Sequence, residues 1–227
     1  MRKRKFLSLV LSVILLFSFI SFSIPQDVYA ADSVAYVYIV SYSQTAGSSA
    51  VGLGGHSFLV VKNLTSDTIT VGHYNLGGEH IMSIGSWGNI SDGAYAYYNI
   101  EKYRMVNDIC SYTPSVYVRA AVSQSQLDKL STAINNNYTW TTTLNCSRFA
   151  RYCWNSMFSS SSSYRIDASS TIETPAQIYN KIQARSDCRS NFEFGSTRTC
   201  VMDNVYVHTS TSKAHLSNAA KSNVMMQ

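Results

Sequence analysis

The segment TLNCSRFARYCW, residues 143–154, decides our interpretation of the fold, because it combines a helix start with a cysteine. Asn145 is a residue type that caps helix N-termini well, so we expect the helix to begin at Cys146. Phe149 and Cys153 then follow at i+3 and i+7, which is the spacing of one helix face. The segment therefore predicts an amphipathic helix with a cysteine at the start of its core-facing side.

Cys146 is the candidate nucleophile of this segment. At the first position of a helix, the helix dipole and the free backbone N–H groups stabilise a thiolate. The same N–H groups can bind an oxyanion. A buried structural thiol is the alternative, since free cysteine is among the most buried residue types. For Cys153, in the middle of the helix, that structural role is the better interpretation.

A nucleophilic cysteine needs a base, and histidine is the usual one. His56 directly follows two glycines and opens a strand-like run, and a second such run ends near His73. If Lys62 pairs with Asp67 across the intervening turn, His56 lies directly opposite His73 on the same face. The pattern therefore predicts His56 as the base and His73 as the residue that orients it, with ordinary hydrogen-bonded histidines as the alternative.

The remaining histidines are weaker candidates. His80 lies in a glycine-containing loop, and we expect His208 and His215, near the C-terminal tail, to be solvated. A zinc site built from His56, His73 and His80 is conceivable, but the spacing matches no strong ligand motif. We expect no metal and no cofactor, because a Cys–His pair needs neither.

The five cysteines of the chain are Cys110, Cys146, Cys153, Cys188 and Cys200. An odd count in an exported protein leaves at least one thiol free. The chain has no CxxC pair, which argues against a structural zinc site. Cys188 and Cys200 flank a polar loop and could close a small disulfide ring, and reduced cysteines are an equal possibility.

Hydrophobic patterning predicts an α+β protein with an antiparallel sheet and segregated helices. Besides the two runs at residues 56–62 and 68–74, strands are predicted at residues 34–41, 81–84, 94–100, 115–122 and 201–208. Capping boxes at Ser123 to Gln126 and Thr174 to Gln177 predict two further helices, the second with Pro175 at its first position.

The N-terminus has the three parts of a secretory signal peptide. Four basic residues at positions 2–5 precede an uncharged, largely apolar run at residues 6–26, and Val28 and Ala30 provide aliphatic and small residues at the −3 and −1 positions before Ala31. We expect cleavage between Ala30 and Ala31. An uncleaved anchor is the alternative, because residues 6–24 are long enough to span a bilayer.

Cleavage would change the charge balance and with it the expected partners. It removes four of the 18 Lys and Arg residues and one of the 13 Asp and Glu residues, so the exported chain carries +2 instead of +5. No basic stripe remains for a nucleic acid, and no other segment is apolar enough for a membrane. The charge balance and the hydropathy therefore argue against nucleic-acid and membrane partners, and the sequence leaves the oligomeric state open.

Three short motifs together resemble the circularly permuted papain-like hydrolases. That superfamily includes the NlpC-type cell-wall peptidases and the lecithin:retinol acyltransferase group. The motifs are GGHSFL at residues 54–59, His73-Tyr74, and NCSRFA at residues 145–150. In permuted members the His strand precedes the Cys helix, as it does here. The resemblance covers about residues 34–182, and the region from 188 to 200 has no counterpart.

The resemblance implies a papain-like (NlpC-type) α+β fold in permuted order, with an antiparallel sheet packed against the Cys helix. Residues 31–227 would form one hydrolase domain with a frayed C-terminal tail. Cys146 would be the nucleophile, His56 its base and His73 the orienting residue. The implied activity is that of a secreted thiol hydrolase that cleaves an amide through a thioester, in cell-wall peptide. An acyltransferase or lipid esterase with the same Cys–His pair, and a non-catalytic extracellular binding module, are the alternatives.

Overall fold

The computed structural model describes residues 32–44, 54–87, 95–137, 140–167, 171–195, 200, 206–208 and 213–215. Within this part of the chain lie an eight-stranded antiparallel sheet, a two-stranded sheet and four helices. The predicted α+β class and antiparallel sheet are confirmed. None of the helices described here is long and apolar enough to cross a bilayer. The predicted signal peptide and most of the C-terminal tail lie outside the described residues.

The strands follow one another along the chain in ten short segments. They are β1 (Ser33–Ser43), β2 (Gly55–Asn63), β3 (Ile69–Val71), β4 (Tyr74–Leu76), β5 (Ile81–Trp87), β6 (Tyr95–Tyr98), β7 (Ser115–Ser123), β8 (Arg189–Ser190), β9 (Tyr206–His208) and β10 (Lys213–His215). The helices are α1 (Ile100–Val106), α2 (Gln124–Asn136), α3 (Cys146–Ser156) and α4 (Pro175–Gln183). The large sheet has the order β10-β9-β6-β5-β2-β1-β7-β8, and β3 pairs only with β4.

The two faces of the large sheet are covered by different sets of side chains. Because side chains alternate along a strand, β1 and β2 contribute to both faces. Residues such as Val37 and Leu59 join the core formed with the apolar sides of α2, α3 and α4. On the other face, Tyr38 and Phe58 pack in an aromatic cluster that includes Tyr112. The central strands are therefore buried on both sides, and polar groups at their ends are removed from water.

The three predicted helix starts are confirmed in the structure. Ser123 with Gln126 and Thr174 with Gln177 both form reciprocal capping boxes. The side chain of Asn145 accepts hydrogen bonds from the backbone N–H groups of Ser147 and Arg148. The α3 helix thus begins at Cys146, as its sequence predicts.

The predicted hairpin between residues 56–62 and 68–74 is wrong. Strand β2 pairs with β5, with Leu59 opposite Ile84, and the intervening residues form the separate β3–β4 hairpin. The cause is Asn63, which is fully buried. Its Nδ2 donates to the carbonyl oxygens of residues 67, 76 and 77 at 2.6, 3.2 and 3.1 Å, so the chain leaves the large sheet at this point.

The other differences concern element ends and cysteines. The strand predicted at residues 94–100 ends at Tyr98, and helix α1 begins directly after Asn99. Of the strand predicted at residues 201–208, the described residues 206–208 are extended. All five cysteines are free thiols, so the Cys188–Cys200 ring is absent.

We expect Asn63→Ala to lower the free energy of unfolding by about 2–4 kcal/mol, because it leaves several buried carbonyl and N–H groups without partners. Chemical denaturation measures this change. The control is Asn75→Ala, which removes an exposed side chain bonded to Thr70. Its effect should stay within about 0.5 kcal/mol. Equal effects of the two substitutions would contradict this role of Asn63.

Candidate active site

Cys146 and His56 meet where the start of α3 packs against the start of β2. The imidazole of His56 forms a hydrogen bond with the Cys146 sulfur. His56 is 6% exposed, and Cys146 is half-buried. The two residues that the sequence singles out as nucleophile and base are thus in direct contact.

The other side of the His56 ring is occupied by a carboxylate. Glu101 Oε1 lies 2.8 Å from His56 Nε2, and the indole N–H of Trp87 donates to the same oxygen at 2.9 Å. Glu101 is fully buried, and its Oε2 has no hydrogen-bond partner in the described structure. Because Nε2 is engaged by Glu101, Nδ1 is the nitrogen left for the sulfur. This order, thiol to imidazole to carboxylate, is that of a catalytic triad.

Helix α1 carries Glu101 and is fixed to strand β5 by polar contacts. The Ser83 carbonyl accepts from the backbone N–H of Asn99 at 2.9 Å, and its hydroxyl accepts from that of Lys102 at 3.1 Å. Asn99 precedes the helix in a left-handed conformation, φ 67°, which asparagine tolerates better than most residues. The abrupt change from strand to helix turns the Glu101 side chain towards His56.

Gly85 provides the space in which this contact forms. A Cβ atom at this position would collide with Glu101 Oε1 and lie 3.0 Å from His56 Nε2. The absence of a side chain on β5 therefore lets the carboxylate and the imidazole approach each other across the strand.

His73 does not orient His56, which corrects the prediction made from the hairpin register. It lies in the turn between β3 and β4, in the separate two-stranded sheet, and its backbone N–H donates to the Tyr98 hydroxyl at 3.1 Å. Strand β2 lies between β1 and β5, and on the β5 side the neighbours of His56 are Gly85 and Trp87. His80 is exposed in the loop before β5. The side chains of His208 and His215 lie outside the described residues.

The electrostatic surroundings favour a thiolate–imidazolium pair. Burial by itself lowers the pKa of His56. Cys146 and Glu101 outweigh this effect through their negative charges and their hydrogen bonds, and raise the pKa of His56 to about 9. Burial by itself raises the pKa of Cys146, but the charge of His56, its hydrogen bond, and donors from Ser57 and Ser147 lower it overall. By contrast, burial raises the pKa of Cys153 far above the usual range of a thiol. Of these two thiols, the one at the helix start has the lowered pKa that is typical of a nucleophile.

The sulfur lies in a cleft of about 480 Å³. Trp87, Trp140, Ile172 and Pro175 supply its apolar walls. Glu173 also lines the cleft, where it forms an ion pair with Arg151 at 2.7 Å. Apart from His56, no described residue lining the cleft is cationic. The cleft is therefore suited to an uncharged, partly apolar group next to the reacting bond.

The first turn of α3 leaves one donor for an oxyanion. Asn145 Oδ1 accepts from the N–H groups of Ser147 and Arg148, and the carbonyl of Asn145 accepts from that of Phe149. The backbone N–H of Cys146 is the donor that remains in this turn, and it lies at the positive end of the helix dipole. A carbonyl oxygen placed beside the sulfur would meet this group.

The described residues contain no group of three or more His, Cys, Asp or Glu side chains that could hold a metal ion.

Comparison with protein-family models, with curated proteins and with solved structures finds no match to this chain. The site is therefore interpreted from its own geometry.

The sequence pattern does not single out Glu101, because the strand predicted before it runs to Ile100. Two signals pointed to it. Asn99-Ile100-Glu101 places a residue that tolerates left-handed backbone just before an acidic residue, which is favourable in a first helical turn. Gly85 within a strand pattern indicates close approach by another group.

We expect Gly85→Ala to disrupt the His56–Glu101 hydrogen bond, because the added methyl group occupies the space of the carboxylate. The pKa of His56 should then fall from about 9 towards its ordinary value, as followed by NMR titration of the ring. Gly195→Ala is the control, since a Cβ there meets nothing within 4 Å. An unchanged His56 titration in Gly85→Ala would contradict the proposed packing.

Proposed function

We propose that the protein is a cysteine hydrolase that cleaves an amide bond through a thioester on Cys146. The observation that carries this proposal is the continuous set of contacts from Cys146 through His56 to Glu101, at the edge of a cleft. The electrostatics support it, because they favour a thiolate at the helix start and a protonated imidazole beside it. In the proposed triad, Cys146 attacks, His56 transfers the proton, and Glu101 takes the orienting role that the sequence assigned to His73.

In the acylation step, the Cys146 thiolate attacks the carbonyl carbon, and the oxygen develops negative charge beside the Cys146 N–H. The His56 imidazolium donates its proton to the leaving nitrogen as the C–N bond breaks. The amine departs, and the enzyme is left with a thioester and a neutral imidazole. Glu101 stabilises the imidazolium before this step and holds the ring with Nδ1 towards the sulfur.

In the deacylation step, a water molecule in the cleft gives a proton to neutral His56 and adds to the thioester carbonyl. Collapse of this intermediate breaks the C–S bond and releases a carboxylic acid. The thiolate and the imidazolium are restored, so no cofactor is consumed.

The circularly permuted papain-like fold is part of the same proposal. Its support is the order of the elements, with the His strand β2 before the Cys helix α3, and the packing of that helix against the sheet. Secretion after cleavage near Ala30 rests on the N-terminal sequence pattern. A cell-wall peptide is the proposed amide substrate, because the sequence motifs at residues 54–59 and 145–150 resemble those of the NlpC-type cell-wall peptidases.

A second candidate, acyl transfer or lipid ester hydrolysis by the same residues, is favoured by one observation. The cleft walls are formed largely by Trp87, Trp140, Ile172 and Pro175, and its one acidic residue is neutralised by Arg151. Such walls would bind an acyl chain as well as an apolar side chain. The two candidates share the chemistry at Cys146 and differ in the group that occupies the cleft.

We expect Cys146→Ala to reduce hydrolysis of a responsive substrate by roughly 10³-fold or more, because no other group can form the thioester. A panel of cell-wall peptide amides and fatty acyl esters, assayed with both proteins, identifies the substrate class. Cys188→Ala, which removes a half-buried free thiol away from the cleft, is the control and should retain full activity. Undiminished hydrolysis by Cys146→Ala, or activity lost equally in Cys188→Ala, would refute the proposal.

The pH dependence of kcat/KM should be bell-shaped. Activity rises with pH as the Cys146 thiolate forms, at a pH below the usual range for a thiol, because its pKa is lowered. It falls as pH rises through about 9, where His56 loses the proton that the leaving nitrogen needs. In Glu101→Gln the descending limb should move to lower pH, since Cys146 still raises the pKa of His56 but the additional contribution of the Glu101 charge is gone. A descending limb that does not move would exclude Glu101 from the triad.

A further inference from the structure

Three serine hydroxyls form a buried chain behind the nucleophile. Ser41 Oγ lies 2.9 Å from Ser57 Oγ, and Ser57 Oγ lies 3.3 Å from Ser147 Oγ. All three residues are fully buried. Ser41 also donates to the carbonyl oxygen of Pro175 at 2.8 Å, in the first turn of α4. The chain thus runs from α4 through β1 and β2 to the residue next to Cys146.

The direction of these hydrogen bonds follows from counting hydrogens. A serine hydroxyl has one hydrogen and can accept as well as donate. The hydrogen of Ser41 is used on the Pro175 carbonyl, so Ser57 is the donor in the Ser41–Ser57 bond. The hydrogen of Ser57 is then also used, and its oxygen can only accept from Ser147. Ser147 is the one member of the chain whose hydrogen has a choice of acceptor.

The second acceptor available to Ser147 is the sulfur of the neighbouring Cys146, whose pKa a hydrogen bond from this hydroxyl lowers. The backbone N–H of Ser57 reaches the same sulfur. A thiolate is a strong acceptor because it is charged, whereas a thioester sulfur is a poor one. The preferred partner of the Ser147 hydroxyl therefore depends on the state of the sulfur.

We propose that the Ser147 hydroxyl is a movable donor that binds Cys146 Sγ while the sulfur is a thiolate and turns to Ser57 Oγ when the sulfur carries an acyl group. Ser147 and Ser57 are thus positioning residues for the nucleophile. In this buried chain the Ser147 hydroxyl has an acceptor in both states, so its hydrogen is not left unsatisfied during the reaction cycle. The inference extends the proposed function, although its first part concerns only the free thiolate.

The test measures the reactivity of the Cys146 thiol without any substrate. Iodoacetamide alkylation is followed between pH 5 and pH 10, and the labelled Cys146 peptide is quantified by mass spectrometry. The titratable groups that face the sulfur are His56, with Glu101 behind it, and Tyr112. These three residues stay unchanged in every variant, so the differences between profiles report the serine hydroxyls.

Ser147→Ala is expected to slow alkylation, whereas Ser57→Ala is not. Ser147→Ala removes a donor to the thiolate and should slow alkylation at pH 6 roughly tenfold. Ser57→Ala keeps its backbone N–H, removes the competing acceptor, and should leave alkylation at pH 6 equal or faster. Ser115→Ala is the matched control, since it removes a buried hydroxyl that accepts from the N–H of Phe192 on the other face of the sheet. It should not change the profile.

Thermal unfolding of each variant shows whether it is folded. A general loosening of the site would slow alkylation in both serine variants, so a slowdown in Ser57→Ala equal to that in Ser147→Ala would overturn the proposal. An unchanged profile in Ser147→Ala would overturn it as well. Should Ser147→Ala not fold, slower alkylation in Ser57→Ala would still refute the inference and equal or faster alkylation would support it. These outcomes are independent of hydrolysis, so they can succeed or fail separately from the proposed function.

Discussion

The hydrogen bond between Glu101 Oε1 and His56 Nε2 is the constraint on which the arrangement of the site depends. It fixes the imidazole so that its other nitrogen is left for Cys146, and it requires a carboxylate to be buried completely. That burial requires Gly85, since any side chain there would occupy the space of the carboxylate. It also requires α1 to start immediately after β6. Strand β5, which carries Gly85 and contacts α1, thus organises the site as much as the two elements that carry Cys146 and His56.

The parts of the fold that the sequence predicts correctly are governed by local interactions. The starts of α2, α3 and α4 follow from side chains that bond backbone N–H groups two or three residues away, as Asn145 does. Strands β1, β2 and β7 follow from long runs of β-branched and aromatic residues. The contact between Cys146 and His56 was predictable because each residue lies at the end of such an element.

The parts that the sequence does not predict depend on distant contacts. The register of β2 is set by Asn63, whose amide bonds carbonyl groups up to 14 residues away, and no local pattern reveals those partners. Without that knowledge the shortest hairpin is the natural assumption, and it places His73 where Gly85 and Trp87 lie. Helix α1 has seven residues and follows a strand of aromatic residues, so its periodicity is too short to be recognised. Because this helix is not recognised from the sequence, Glu101 is not assigned to the site.

The three charged groups of the site come from three different elements. A thiolate at Cys146 and a carboxylate at Glu101 flank the imidazolium of His56, which leaves one negative charge in excess. Arg104, one turn after Glu101 on α1, places its guanidinium 5.4 Å from the ring centre of Trp87, the residue that bonds Glu101. A neutral His56 would leave Glu101, with its partnerless Oε2, as a buried anion beside an uncharged ring, which is costly in free energy. The carboxylate therefore favours the protonated imidazole, and the protonated imidazole favours the thiolate form of Cys146.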